Sequence, residues 1–298
     1  MADQDYQLKI TRFDPKDVRL GRHRLHDSRS RRFAAPEVDP ATLHSIRHEI
    51  KVPILNQGNV GSCTGHAITA NMGGTAFWTA AREFIPTTER EAHEYAVSVY
   101  SDATRLDPWE GQYLPDDTGS DGLSVAKAMH NRGLISGYQH AFSLNAALTA
   151  LASQPVIVGT AWLSSMYSPD RRDGKLIVQG YEDGGHEYCL DELDVERKRV
   201  WVRNSWGLDW GIGGRAWMSW ADLGKLLANY GDCTILVPLS EPAPKPVEPE
   251  PPKPATPTDV ELNLEAALRR LLDNRTCPSY LKGPGRAWLE DLAQRYAR

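Results

Sequence analysis

Apolar positions along the 298-residue chain follow two different periods, and the change between them divides its middle. From Ser62 to Arg132 apolar residues recur every three to four positions. That spacing predicts a helix after Ser62, a second over His93 to Arg105 and a third over Leu123 to Arg132. Beyond Gln154 the texture turns to short runs rich in Val, Ile, Tyr and Trp. These predict strands over Pro155 to Trp162, Lys175 to Gly180, His186 to Val195, Arg199 to Asn204 and Gly214 to Trp220. Asp194 to Lys198 reads as the turn of a hairpin between two of them. Helices first and strands second imply an α+β fold in two lobes and not a βαβ repeat.

The flanks are of another kind. Residues 1–50 are polar and locally basic: Arg19, Arg22, Arg24, Arg29, Arg31 and Arg32 face only Asp27 within their run. Such a run reads as a solvated arm laid on the next domain, and without interleaved aromatics it is a poor nucleic-acid surface. The body occupies residues 51–240. Residues 241–258 carry eight of the 20 prolines, an extended spacer and not a packing segment. In residues 259–298 a capping box at Thr258-Asp259-Val260-Glu261 opens a helix carrying Leu264, Leu268 and Leu271. A second helix is predicted from Arg286 to Ala297, with Trp288, Leu289, Leu292 and Tyr296 on one face. Two short helices bury too little to stand alone, so this segment is expected to dock on the body, on a second copy or on an assembly partner.

Composition narrows the picture. A chain that is 41% hydrophobic and 24% charged can bury a sizeable core. Its 34 Lys and Arg against 39 Asp and Glu, a net charge of −5, give no bulk attraction to nucleic acid. No stretch approaches the ~20 apolar residues of a membrane helix, and MADQDYQLKI lacks the features of a secretory signal. The expectation is a cytoplasmic protein, with release by lysis or residence in a larger particle left open. Cys63, Cys189, Cys233 and Cys277 form no CxxC pair and no dense framework, so free thiols are expected.

The densest chemical signal is Gln57-Gly58-Asn59-Val60-Gly61-Ser62-Cys63-Thr64-Gly65-His66. Ser62 can cap a helix beginning near Cys63, and a thiol at a helix N-terminus is drawn toward thiolate, the nucleophilic form. Gln57 lies six residues earlier, where its amide can donate to an oxyanion. His186 follows Gly184-Gly185 at the start of a predicted strand, placing a base with room beside it. Asn204 ends the next strand, where its amide can orient the imidazole.

These residues resemble the papain-like cysteine peptidases. Gln57 to Cys63 is similar to that family's Gln-Gly-x-x-Gly-Ser-Cys segment, and Asn204-Ser205-Trp206-Gly207-Leu208-Asp209-Trp210-Gly211 to its Asn-Ser-Trp-Gly-x-x-Trp-Gly signature. The order Cys, His, Asn is also the family's, and the similarity runs over residues 50–220. The resemblance implies a two-lobed fold, Cys63 as nucleophile, His186 as base and acid, Asn204 as its orienting group, and Gln57 with the Cys63 N–H as oxyanion hole. It implies Trp206 as a shield over the His–Asn pair, Trp210 on the leaving-group side of a cleft, and Asp121-Gly122 with Gly185 along the peptide-binding edge. No cofactor or metal is implied. Val60 stands where many members carry a disulfide cysteine, and Thr64 replaces the usual aromatic, which suits a prokaryotic or viral type of variant. The N-terminal region is shorter than the family's inhibitory propeptides, which argues against a cleavable prosegment but leaves the basic arm free to cover the cleft. Ala161-Trp162-Leu163 is the candidate floor of the main specificity pocket.

Three other readings compete. A metal site assembled from Cys63, His66, His186 and Cys189 fails on geometry, because strand residues three apart point to opposite faces. His66 then reads as a satisfied helix histidine. The same triad chemistry also serves a transamidase, a deamidase or a peptidoglycan-peptide hydrolase. A structural or binding module with a vestigial site is the third, and the presence of Gln57, Cys63, His186 and Asn204 together argues against it.

Overall fold

The computed structural model describes residues 18–81 and 86–239. The chain divides into two compact units, Met1–Ala243 and Pro244–Arg298, and everything described lies in the first. The proline-rich spacer and the C-terminal helices fall outside the described residues.

Three helices were anticipated in the first half and are present: α1 (Cys63–Met72), α3 (Glu89–Thr104) and α4 (Gly122–Asn131), with α2 (Thr75–Ala81) between the first two. Each of α3 and α4 starts at a capping side chain. Thr88 accepts from the Glu91 N–H and Asp121 from the Ser124 N–H. Helix α1 is different. All ten of its residues are buried, as befits a central helix with neighbours on every side. Ser62 holds the cap position, yet its hydroxyl meets His66 Nδ1 at 3.1 Å and makes no bond to the helix N–H groups.

The strands are β1 (Ile46–Arg47), β2 (Gly137–Ala141), β3 (Val156–Leu163), β4 (Glu182–Asp194), β5 (Arg199–Arg203), β6 (Arg215–Ser219) and β7 (Asp232–Val237). They form one sheet in the order β2-β7-β3-β4-β5-β6, with β1 pairing β4, and each of these strand pairs is antiparallel. The expected strand at Lys175–Gly180 is absent. Only Lys175 bridges, to Trp217, and the chain then leaves the sheet edge. Two helices absent from the sequence reading pack here, α5 (Leu144–Leu151), capped by Ser143, and α6 (Trp220–Ala228), capped by Ser219.

Strand β3 explains the two lobes. Val156, Val158 and Trp162 enter a core with Tyr188, Leu190, Trp206 and the inner faces of α5 and α6. Ile157, on the other face, joins a second core with α1, α3, α4 and Leu236. A strand buried on both faces reads as a continuous apolar run, which is what VIVGTAWL shows. The α+β expectation therefore stands, with both lobes resting on opposite faces of one sheet. No helix among the described residues is long and apolar enough to cross a membrane.

Candidate active site

The two sequence motifs meet where the lobes join. The Gln57 N–H donates to the Ser205 carbonyl at 2.8 Å, and the Ser205 hydroxyl donates to Gln57 Oε1 at 2.7 Å. Cys63 opens α1 on one side. On the other, His186 Nε2 donates to Asn204 Oδ1 at 2.7 Å. Cys63 and His186 are fully buried, Gln57 and Asn204 nearly so.

Trp206 lies over the imidazole with ring centroids 4.6 Å apart, and Trp162 meets the same ring edge-on at 4.7 Å. Trp210 sits deeper. It is buried in the core of the strand lobe, packs at right angles on Trp206 and donates from Nε1 to the Tyr167 carbonyl.

What seals the site is the N-terminal arm. Residues from Arg19 to Arg24, part of the basic arm read as laid on the next domain and free to cover the cleft, run through it, with Arg22 buried and Arg19 and Arg24 exposed. The Arg22 N–H donates to the Gly185 carbonyl at 3.0 Å, while Ser120 N–H donates to Gly21 O and His23 N–H to Ser120 O. Arg22 thus bridges Ser120 in parallel fashion. The residue that pairs with the arm is Ser120, directly before Asp121-Gly122. Gln57 Nε2 donates to the arm's Arg19 carbonyl at 3.0 Å and to Val60 O at 2.8 Å. The fit leaves no slack: a Cβ on Gly21 would lie 1.9 Å from the Gly61 carbonyl oxygen, and one on Gly185 2.2 Å from the Arg22 oxygen.

The arm's charges find partners in the body. Arg19 pairs with Asp117 at 3.0 Å, Arg24 with Glu182, and His23 stacks on Trp109 with centroids 4.4 Å apart. Arg22 reaches Asp232 and has Glu187 4.0 Å away.

Covering the site sets its protonation. Burial pushes the Cys63 thiol up to about 12, against the opposing pull of the Glu187, Gly21 and Thr64 N–H groups. The helix N-terminus therefore does not yield a thiolate while the arm is in place, contrary to the sequence expectation. Burial likewise lowers His186 to about 4, with the Asn204 hydrogen bond partly offsetting it. Among the described residues His186 Nδ1 has no hydrogen-bond partner, so the thiol and imidazole are both neutral and unpaired with each other. Glu187, next to His186, is raised well above the ordinary carboxylate range by burial and then by Asp232, with Arg22 offsetting only part.

The remaining candidates sort by position. Asp121 caps α4, and burial raises its carboxyl. Gly122 faces Glu187 and Asp232. His66 is buried on α1, between Ser62 O at 2.8 Å and His93 Nδ1 at 3.1 Å. Cys189 lies beside Asp191 and Arg203, away from His186. Among the described residues no group of three His, Cys, Asp or Glu is placed to hold a metal ion. Ala161 and Trp162 are fully buried; the Arg22 side chain packs over β3 two residues earlier, at Gly159. Sequence reasoning passed over Glu187, Asp232 and Gly159. Their signal was a carboxylate directly after the candidate base, on a strand otherwise apolar at that point.

No family model matches the chain, and no curated protein matches it. Solved structures do. The chain is similar to xylellain, a cysteine protease from Xylella fastidiosa, at 18% identity and a TM-score of 0.58, over 74% of this chain and 96% of that one. Procathepsin L 3 of Tenebrio molitor larval midgut aligns at 15% identity and a TM-score of 0.47, over 69% of this chain and 74% of that one. Recombinant stem bromelain precursor aligns at 15% and 0.44, over 70% and 76%.

Proposed function

We propose, on the premise that this is a papain-like cysteine-protease fold, that the chain is a cysteine peptidase held latent by its own N-terminal arm. The observation that carries the reading is a length of peptide already lying across a buried thiol, paired through its backbone to both walls of the cleft. A cleft that accepts one peptide in this way has the shape and the hydrogen-bonding edges to accept another.

With the arm displaced, water and substrate reach the site and the desolvation that keeps Cys63 protonated is relieved. Cys63 Sγ then attacks the scissile carbonyl carbon as its proton passes to His186 Nδ1, the nitrogen left free by the Asn204 bond. The developing oxyanion accepts from Gln57 Nε2, now released from the Arg19 carbonyl, and from the Cys63 N–H. His186 gives its proton to the leaving amine, then takes one from the water that releases the acyl group. Asn204 keeps the ring in the required tautomer, and Trp206 keeps water from that hydrogen bond.

Hydrolysis of a fluorescence-quenched casein tests this. Gly21→Ala, whose methyl cannot coexist with the Gly61 carbonyl, is expected to cleave it, and Gly21→Ala with Cys63→Ala is not. Acylation of Cys63 without hydrolysis, the product appearing only with an added amine, would assign acyl transfer instead.

A further inference from the structure

Beside the thiol is a slot built by three adjacent strands. Gly159 of β3 stands opposite Glu187 of β4 on one side and Asp232 of β7 on the other. Residues in register share a face, so two carboxylates flank a position with no side chain. The missing atoms matter: a Cβ on Gly159 would lie 2.4 Å from Glu187 Oε2 and 2.5 Å from Arg22 Nε. Gly122, at the start of α4, closes the slot, where a Cβ would lie 2.8 Å from Glu187 Oε1 and 3.0 Å from Asp232 Oδ1. Asp121 adds a third buried carboxyl close enough to act on Glu187.

Arg22 fills this slot. Its side chain is fully buried, with the guanidinium on Asp232 and on the Tyr230 carbonyl at 3.0 Å. Even so, the slot holds more carboxyl groups than Arg22 pairs. Glu187 is fully buried, and neither of its carboxylate oxygens has a hydrogen-bond partner. None of the three carboxylates is used by the Cys–His–Asn chemistry. An apolar side chain here would leave the buried Glu187 and Asp121 and the partly buried Asp232 without a counter-charge, whereas a cation satisfies them.

The slot's place relative to the thiol gives it a role in the reaction. Gly21 lies at Cys63, and Arg22, the next residue, pairs with Ser120 and Gly185. Glu187 directly follows His186, and Asp121 directly follows Ser120. The arm runs parallel to Ser120, so a peptide running the opposite way along the same edge, antiparallel to Ser120 and with one residue at the thiol, delivers the side chain of the residue before it into the slot.

We propose that this slot is a specificity pocket for a basic side chain, so that the enzyme cleaves peptides bearing Arg or Lys next to the residue whose carbonyl is attacked, on the acyl side. Arg22 of the arm is then an internal stand-in for that residue. Arg is favoured over Lys, because a planar guanidinium can address Glu187 and Asp232 at once. The proposal rests on the peptidase reading.

The test uses the full chain carrying Gly21→Ala. Cys63 is reacted with dipeptidyl acyloxymethyl ketones differing only at the residue in question (Arg, Lys, Leu or Glu), and separately with iodoacetamide, each followed by intact mass. The Arg and Lys reagents are expected to react at least about 10²-fold faster than the Leu reagent, with Glu slowest. Adding Glu187→Gln and Asp232→Asn should shrink that preference to less than about tenfold, each rate being normalised to the same variant's iodoacetamide rate. Iodoacetamide labelling that depends on His186, together with a flat or Leu-preferring series, overturns the pocket and spares the peptidase reading. No His186-dependent labelling by any reagent overturns both. A second arm uses the chain's own Arg22. Arg22→Lys should keep iodoacetamide labelling slow, and Arg22→Leu should speed it at least about tenfold. Equal rates for the two contradict a slot that selects cations.

Discussion

Gln57 shows what each side chain contributes at the smallest scale. Its Oε1 is fixed by the Ser205 hydroxyl, which turns Nε2 toward the cleft, where it now holds the Arg19 carbonyl. In an arm-displaced background, Gln57→Ala is expected to lower turnover by about 10²–10³ with a smaller effect on KM, since the donor acts mainly on developing charge. Steady-state kinetics on a quenched peptide would show it, and unchanged turnover would remove the role. The thiol at about 12 and the imidazole at about 4 make a second prediction. Labelling of the wild-type chain should keep rising with pH and show no plateau below about pH 9, because the covered thiol stays protonated. Gly21→Ala should already react at neutral pH. Cys63, His186, Asn204 and Gln57 were legible in the sequence because each sits in, or beside, a dense local motif. Glu187, Gly159 and Asp232 were not, since only the register of β4, β3 and β7 brings them together.

At the scale of elements, the position of α1 governs the thiol. Gly65 lets the helix approach α3 so closely that an added Cβ would lie 2.2 Å from the Ala96 carbonyl oxygen. Gly65→Ala should therefore cost about 2–3 kcal/mol by chemical denaturation and slow labelling of Cys63 in the Gly21→Ala background, as α1 is pushed from its seat. Ser143→Ala, which removes the cap of α5 and the hydroxyl's bond to Glu37, should cost about 1 kcal/mol by the same denaturation measurement. Elements were legible where period and cap agreed. The helices α1, α3 and α4 announced themselves by spacing, and β4 with β5 by the hairpin turn at residues 195–198. Helices α5 and α6 carry the same signals, a serine cap followed by leucines at helical spacing. For α6 the strand texture before it dominated, Trp220 being read as the end of a strand and not the first turn of the helix, whereas α5, only eight residues long, offers barely two turns of periodicity. Lys175–Gly180 has strand composition without a strand partner beyond Trp217, and composition alone cannot reveal that.

The described residues of the first unit build two cores on one sheet, with the arm drawn through the seam between them. Composition showed the arm to be basic, but its partners Asp117, Glu182, Glu187 and Asp232 are spread over more than one hundred residues of the body. The fold leaves His66, enclosed between α1 and α3, and His186 buried and neutral, which couples stability to pH. His66 is lowered to about 3 and His186 to about 4 by burial, so the unfolded chain binds protons at these sites first. Their stabilising contribution is complete above about pH 6.5 and is lost as pH falls toward 4 and 3. The raised carboxyl of Glu187 has the opposite sign, so a comparison isolates the histidine contribution. Between about pH 7 and about pH 4, wild type should lose more of its urea midpoint than His66→Gln does, and parallel losses would contradict a neutral buried His66.

The most direct test of a latent nucleophile under a removable arm is intact-mass labelling with an epoxysuccinyl thiol reagent at neutral pH. It would be run on wild type and Gly21→Ala, and on Gly21→Ala combined with Cys63→Ala or with His186→Ala. Slow single addition to wild type, addition at least about tenfold faster in Gly21→Ala, none without Cys63 and a large slowing without His186 is the predicted result. Equal rates in wild type and Gly21→Ala, or labelling indifferent to His186, would contradict it.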